Sequence, residues 1–124
     1  MRLHELKHMK EGSSIINTTS INAYKGNAKL PDYINSNKRG LALQLVEKGI
    51  RVNGAAPGPI WTPLIPASFS EEEVSNFGKQ VPMQRAGQPV EVAPSYLFLA
   101  CNHCFSYISG QVLHPNGKSL YCYI

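Results

Sequence analysis

The chain is short of the features that mark several binding classes. Its twelve basic residues form no run longer than two, although the net charge is +4. The basic stripe of a nucleic-acid binder is missing, so no nucleic-acid partner is expected. No stretch approaches the ~20 apolar residues of a membrane span, and no charged-apolar-small leader opens the chain. No membrane association and a cytoplasmic, reducing compartment are the expectations. Cysteine is scarce and odd in number at three, so a complete disulfide framework within one chain is excluded. Cys101-Asn102-His103-Cys104 mimics a metal or redox motif. A structural zinc needs four ligands and no second Cys/His pair of comparable spacing exists, so no metal is expected. Cys101 and Cys104 are taken as buried thiols at a helix end.

What is present suits one globular domain. A length of 124 residues can bury roughly 65% of its unfolded surface, and 43% hydrophobic with 16% charged residues is a folded composition. Leu3, Leu6 and Met9 at three-residue spacing predict a short helix within 1–10, ended by Gly12. The β-branched, apolar centre of 13–20 predicts a buried parallel strand, and Ile21 to Asp32 a loop. A helix over 39–48 should carry Leu41, Ala42, Leu45 and Val46 on one face and stop at Gly49. Residues 50–56 predict a second strand, leading into Pro57-Gly58-Pro59. Ser70-Glu71-Glu72-Glu73 is a capping box, opening a helix that runs toward Gly78. Pro89 suits a first helical position, with Val90, Ala93, Leu97 and Ala100 continuing on one face. Residues 110–114 predict a third strand. This alternation argues for an α/β fold with a parallel sheet.

Several short motifs stand in a telling order: Asn17-Thr18-Thr19-Ser20, Asp32-Tyr33, Val52 through Thr62, Gly110-Gln111-Val112-Leu113 and Pro115-Asn116-Gly117. Each is weak alone. Together they resemble the C-terminal half of a short-chain dehydrogenase/reductase, and within that family the plant glucose-and-ribitol dehydrogenase homologues. The resemblance implies an incomplete Rossmann-like parallel sheet with flanking helices, residues 1–117 forming a partial domain and 118–124 a divergent tail. It implies NAD or NADP as cofactor and the CH–OH group of a small alcohol, sugar or polyol as substrate. Ser20 would hydrogen-bond the substrate oxygen and Tyr33 would act on it as general acid or base. A nearby lysine ammonium, here Lys38, would bring the phenol down from its usual pKa near 10. Pro57, Gly58, Ile60 and Thr62 would approach the nicotinamide, with the Ile60 backbone and the Thr62 hydroxyl on its carboxamide.

The chain departs from that family in three places. No glycine-rich turn between a first strand and helix is present in these residues to hold a pyrophosphate. The span from Tyr33 to Gly49 is about six residues shorter than is usual, equal to ~9 Å of rise and ~600° of rotation on an α-helix. Either residues 34–37 become a loop with Ser36 or Asn37 capping a helix from Lys38, or the tyrosine face rotates away; the loop is favoured because Asn and Ser suit capping. Finally, Asn37 holds the position four after Tyr33 where the family has lysine. Lys38 at plus five lies ~140° round a regular helix instead of ~40°, so it substitutes only if the segment is irregular. A truncated product is therefore expected. Three outcomes stay open: an oxidoreductase, a non-catalytic fragment that associates with a second copy or with full-length relatives, or a non-functional or poorly folded remnant.

Overall fold

The computed structural model describes residues 4–20 and 40–117. Tyr33, Lys38, the segment 34–37, Cys122 and the tail 118–124 lie outside these residues. Three parallel strands, β1 (Ser14–Thr18), β2 (Arg51–Ala55) and β3 (Val112–Leu113), form one sheet in the order β1-β2-β3. The register pairs Ser14 with Arg51 through Thr18 with Ala55, and Gly54 with Val112. All five residues of β2 are buried because a strand flanks it on each side and helices cover its faces. β1 and β3 are the two edges among the described residues and are only partly buried.

Alternation along the strands divides the core in two. Ile15 and Val52 point to one face and pack with Ala42, Leu45 and Ile50. Ile16 and Ala55 point to the other and meet Leu99 and Phe105. The first face is covered by helix α1 over residues 40–46, joined by Leu6 of the His4–Lys7 segment and by Met9 just after it. That segment is a 3-10 turn where sequence periodicity predicts a helix. Val46 does not belong to the buried stripe of α1. Leu41, Ala42 and Leu45 take that role, and Val46 lies past its edge in solvent. Gly49 ends the helix as predicted. At φ 66° it lets Gly49 N–H reach Val46 C=O and Ile50 N–H reach Leu45 C=O, the paired bonds of a Schellman motif.

Three short helices and one long one complete the fold: α2 (Leu64–Ser68), α3 (Glu71–Asn76), α4 (Pro89–Ala100) and α5 (Asn102–Phe105). The capping box forms as read. Glu73 accepts from Ser70 N–H at 2.9 Å, and Glu73 N–H donates to Ser70 Oγ at 3.4 Å. α3 stops at Asn76, before a turn in which Gly78 takes φ 89°. A Cβ on Gly78 would stand 2.1 Å from Ala86 N, so only glycine fits there.

α4 presents Val92, Tyr96 and Leu99 to the sheet. The predicted stripe of Val90, Ala93, Leu97 and Ala100 faces outward, with Val90 75% and Leu97 71% exposed. Periodicity reports that a face is apolar without saying what covers it. At the start of α4, Glu91 accepts two bonds from the Arg85 guanidinium, at 2.6 and 2.8 Å, and one from Gln88 N–H at 2.8 Å. These bonds, led by that of Arg85, hold the Glu91 carboxyl down at about 2 from an ordinary 4.5. A depressed folded-state pKa gives stability that is complete above the ordinary value and fades as pH falls toward the folded one. The stability difference between wild type and Glu91→Gln should therefore shrink between about pH 5 and pH 2, as urea unfolding at each pH will show. The pair is exposed, so its effect is small. Among the described residues no helix is long and apolar enough to cross a membrane.

Candidate active site

In a parallel sheet, ligands gather beyond the carboxyl ends of the strands. Ser20 stands there, two residues past β1, where Thr19 N–H donates to Ala55 C=O at 2.9 Å. That bond ties the approach to Ser20 directly to the end of β2. The segment Pro57–Thr62 leaves β2 at the same end. The structure thus brings Ser20 and the four expected cofactor-side residues to adjacent strand ends. Ser20 is exposed and Pro57, Gly58, Ile60 and Thr62 are half-buried. Tyr33 and Lys38 fall outside the described residues.

Local contacts fix the shape of the segment. Gly58 N–H donates to Pro115 C=O at 3.1 Å. A Cβ on Gly58 would meet Asn116 Cα at 2.7 Å and Asn116 O at 2.8 Å. The close approach that this glycine permits in the structure is thus to the Pro115–Asn116 backbone. Ile60 forms a parallel bridge with Gly87, in which Gly87 N–H donates to Pro59 C=O and Trp61 N–H donates to Gly87 C=O. A parallel bridge uses the flanking groups of the central residue, so the N–H and C=O of Ile60 itself point the opposite way. Thr62 C=O accepts from Ile65 N–H, turning the chain into α2. Trp61 packs against Phe77, centroids 6.1 Å apart, and Phe77 against Phe69.

Sequence reasoning missed the residues that brace β2 and the segment leaving it. Asn53 is 1% exposed and spends both ends of its amide: Nδ2 donates to Ile108 C=O and Oδ1 accepts from Gln111 N–H, each at 3.0 Å. Gly87 and the Pro115–Asn116 backbone hold the Pro57–Thr62 segment from either side. Arg51, buried, donates to Leu99 C=O and to Asn102 Oδ1. A polar residue at a strand position expected to be buried on both faces was the available signal for Arg51 and Asn53. The expectation of buried thiols is also corrected: Cys101 is half-buried and Cys104 exposed, because α5 is a single turn at the surface. Among the described residues no three His, Cys, Asp or Glu side chains converge on a metal position.

Comparison with known proteins bears on this geometry. Residues 1–117 match the family described as Enoyl-(Acyl carrier protein) reductase. Over 123 residues the chain is 77% identical to NADPH-dependent aldehyde reductase 1, chloroplastic, of Arabidopsis thaliana, covering 94% of this chain and 43% of that protein. It is 70% identical over 120 residues to Glucose and ribitol dehydrogenase homolog 2 of Arabidopsis thaliana, covering 92% and 42%. The chain therefore spans less than half the length of these relatives. A 7α-hydroxysteroid dehydrogenase solved with NADH and 7-oxo glycochenodeoxycholic acid superposes with a TM-score of 0.70 at 32% identity, over 86% of this chain and 44% of that one. Parallel strand order, the Pro57–Thr62 segment beyond β2 and these matches together place the chain in the short-chain dehydrogenase/reductase family, of whose domain it carries the C-terminal half.

Proposed function

We propose that these residues form the substrate and nicotinamide side of an NAD(P)-dependent oxidoreductase acting on the CH–OH group of a small alcohol, sugar or polyol. One observation carries the reading: Ser20 and the Pro57–Thr62 segment meet at neighbouring strand ends, with the N–H and C=O of Ile60 turned away from the Gly87 bridge. A carboxamide needs one donor and one acceptor, and Ile60 offers both, so this end of the site fits a nicotinamide. The names of the relatives, an NADPH-dependent aldehyde reductase and a glucose and ribitol dehydrogenase homologue, support the substrate class.

The cofactor, when bound, supplies the hydride acceptor or donor. The Ser20 hydroxyl donates a hydrogen bond to the substrate oxygen and fixes its position. The Tyr33 phenol takes the proton from that oxygen on oxidation and returns it on reduction. Lys38 eases that transfer by favouring the phenolate. Pro59 and Trp61, held to Gly87, keep the Ile60 backbone in place without reorganisation.

The sequence contains no G-x-G-x-x-G run of the kind that opens a pyrophosphate-gripping strand-to-helix turn. The chain alone should therefore show no cofactor affinity tighter than about 10 µM, or roughly 7 kcal/mol. Titration of NADPH and NADH fluorescence checks this, and tighter binding would show that the nicotinamide side suffices alone.

The outward stripe of α4 favours a second role alongside the first, association with another copy or with a full-length relative. Val90, Ala93 and Leu97 make a continuous exposed apolar line, and such surfaces drive association. Light scattering should show species larger than a monomer, and Val90→Glu with Leu97→Glu should shift them toward monomer. A sharp monomer peak in the unaltered chain would remove this role.

A further inference from the structure

The Cys101–Cys104 pair lies at the carboxyl end of α4, on the surface and apart from the Ser20 and Ile60 strand ends. We propose that it is a redox-active dithiol that exchanges with a low-molecular-weight disulfide, making and breaking one intramolecular bond. The geometry is already close to that bond. The single turn of α5 sets both side chains on one side, with the sulfurs 3.0 Å apart, and about 1 Å of approach brings them to the bonded ~2.05 Å. Cys104 is exposed and Cys101 half-buried, so a small disulfide can reach them.

The turn that holds the pair is anchored to the sheet. Asn102, between the two cysteines, accepts from Arg51 of β2 at 2.6 Å and donates to Gly12 C=O at 2.8 Å. Arg51 is itself fixed by Leu99 C=O at 2.9 Å. Phe105, which ends the turn, is buried against Leu99 and Ala55. The dithiol is thereby held in place by β2, the Gly12 turn that precedes β1 and the second core.

The two sulfurs are not equivalent. The two thiols share a hydrogen bond at 3.0 Å and the Cys104 N–H donates to Cys101 Sγ; these lower the Cys101 thiol below its ordinary value, and the Arg51 charge adds to this. The same thiol–thiol bond and the neighbouring Cys101 charge push the Cys104 thiol up. Cys101 is the attacking group and Cys104 the resolving one. The Cys101 thiolate attacks one sulfur of the external disulfide, forming a mixed disulfide and expelling one thiolate. Cys104, losing its proton to solvent or to that thiolate, then attacks Cys101 Sγ and expels the second. Two protein thiols are oxidised to one disulfide, and the external disulfide is reduced to two thiols.

Oxidised glutathione is the probe. After exposure of the folded chain, alkylation and tryptic cleavage at Arg85 and Lys118, residues 86–118 hold Cys101 and Cys104 while 119–124 hold Cys122. The peptide 86–118 should be lighter by two hydrogens. Cys104→Ser should leave glutathione trapped on Cys101, and Cys101→Ser, which keeps a capping oxygen, should slow adduct formation at least about tenfold. The internal bond should also form at least about tenfold faster in native buffer than in urea. Glutathione on Cys104 or Cys122 without an internal bond, or equal rates in buffer and urea, would overturn the proposal.

Discussion

Joining this chain to the dinucleotide-binding half of a close relative, with the span after Tyr33 restored to family length, should yield alcohol-dependent reduction of NAD or NADP. In that chimera Tyr33→Phe should lower kcat by about 10²–10⁴-fold, since the ring remains while the transferable proton is lost. Ser20→Ala should cost about 10²–10³-fold by removing the donor to the reacting oxygen. Asn37→Lys in the unextended chain should give no activity, because a lysine in register cannot replace a pyrophosphate site. The split matters: cofactor affinity should be nearly unchanged in the Tyr33 and Ser20 variants while turnover falls. A chimera that binds cofactor and turns over equally well as Tyr33→Phe would remove the acid–base role of that residue.

Asn53→Leu should destabilise the fold by about 2 to 4 kcal/mol. The side chains are similar in volume, so loss of packing is not the main cause. The substitution strands Ile108 C=O and Gln111 N–H, whose bonds to Asn53 are part-buried against β2. Each unsatisfied buried group costs about 1–3 kcal/mol. The loop 108–111 would lose its register against β2, where Gly110 N–H donates to Val52 C=O and Val52 N–H donates to Ser109 Oγ. Urea unfolding followed by Trp61, the single tryptophan, gives the shift directly. A loss under about 1 kcal/mol would mean that water satisfies those groups and that the amide is not a structural tie.

The parts of this fold that were legible in the sequence are those set by neighbours in the chain. Gly49 past a helix, and Ser70 three residues before Glu73, carry their own hydrogen-bond logic, and both formed as read. The three strands and their parallel pairing followed from apolar runs alternating with helical segments, with each strand a residue or more shorter at its ends. What was hidden depends on contacts across long separations. Gly58 needs its lack of a side chain because of the Asn116 backbone, far along the sequence. That demand is not written locally. The α4 stripe shows the limit of periodicity, since a helix with apolar residues on two faces does not declare which one meets the sheet. Ser20 and the Pro57–Thr62 segment were found by motif order, and the sheet brings them together. The Cys101–Cys104 contact needed the single turn of α5 to become visible.

On this reading the backbone of Ile60 faces the nicotinamide. Backbone amide resonances of the chimera, recorded as NADPH or NADH is added, test it most directly. Ile60 N–H should shift and Gln84 N–H, in the loop before Gly87, should stay in place. Cofactor-induced shifts confined to the joined half, with Ile60 and Thr62 unmoved at saturation, would contradict it.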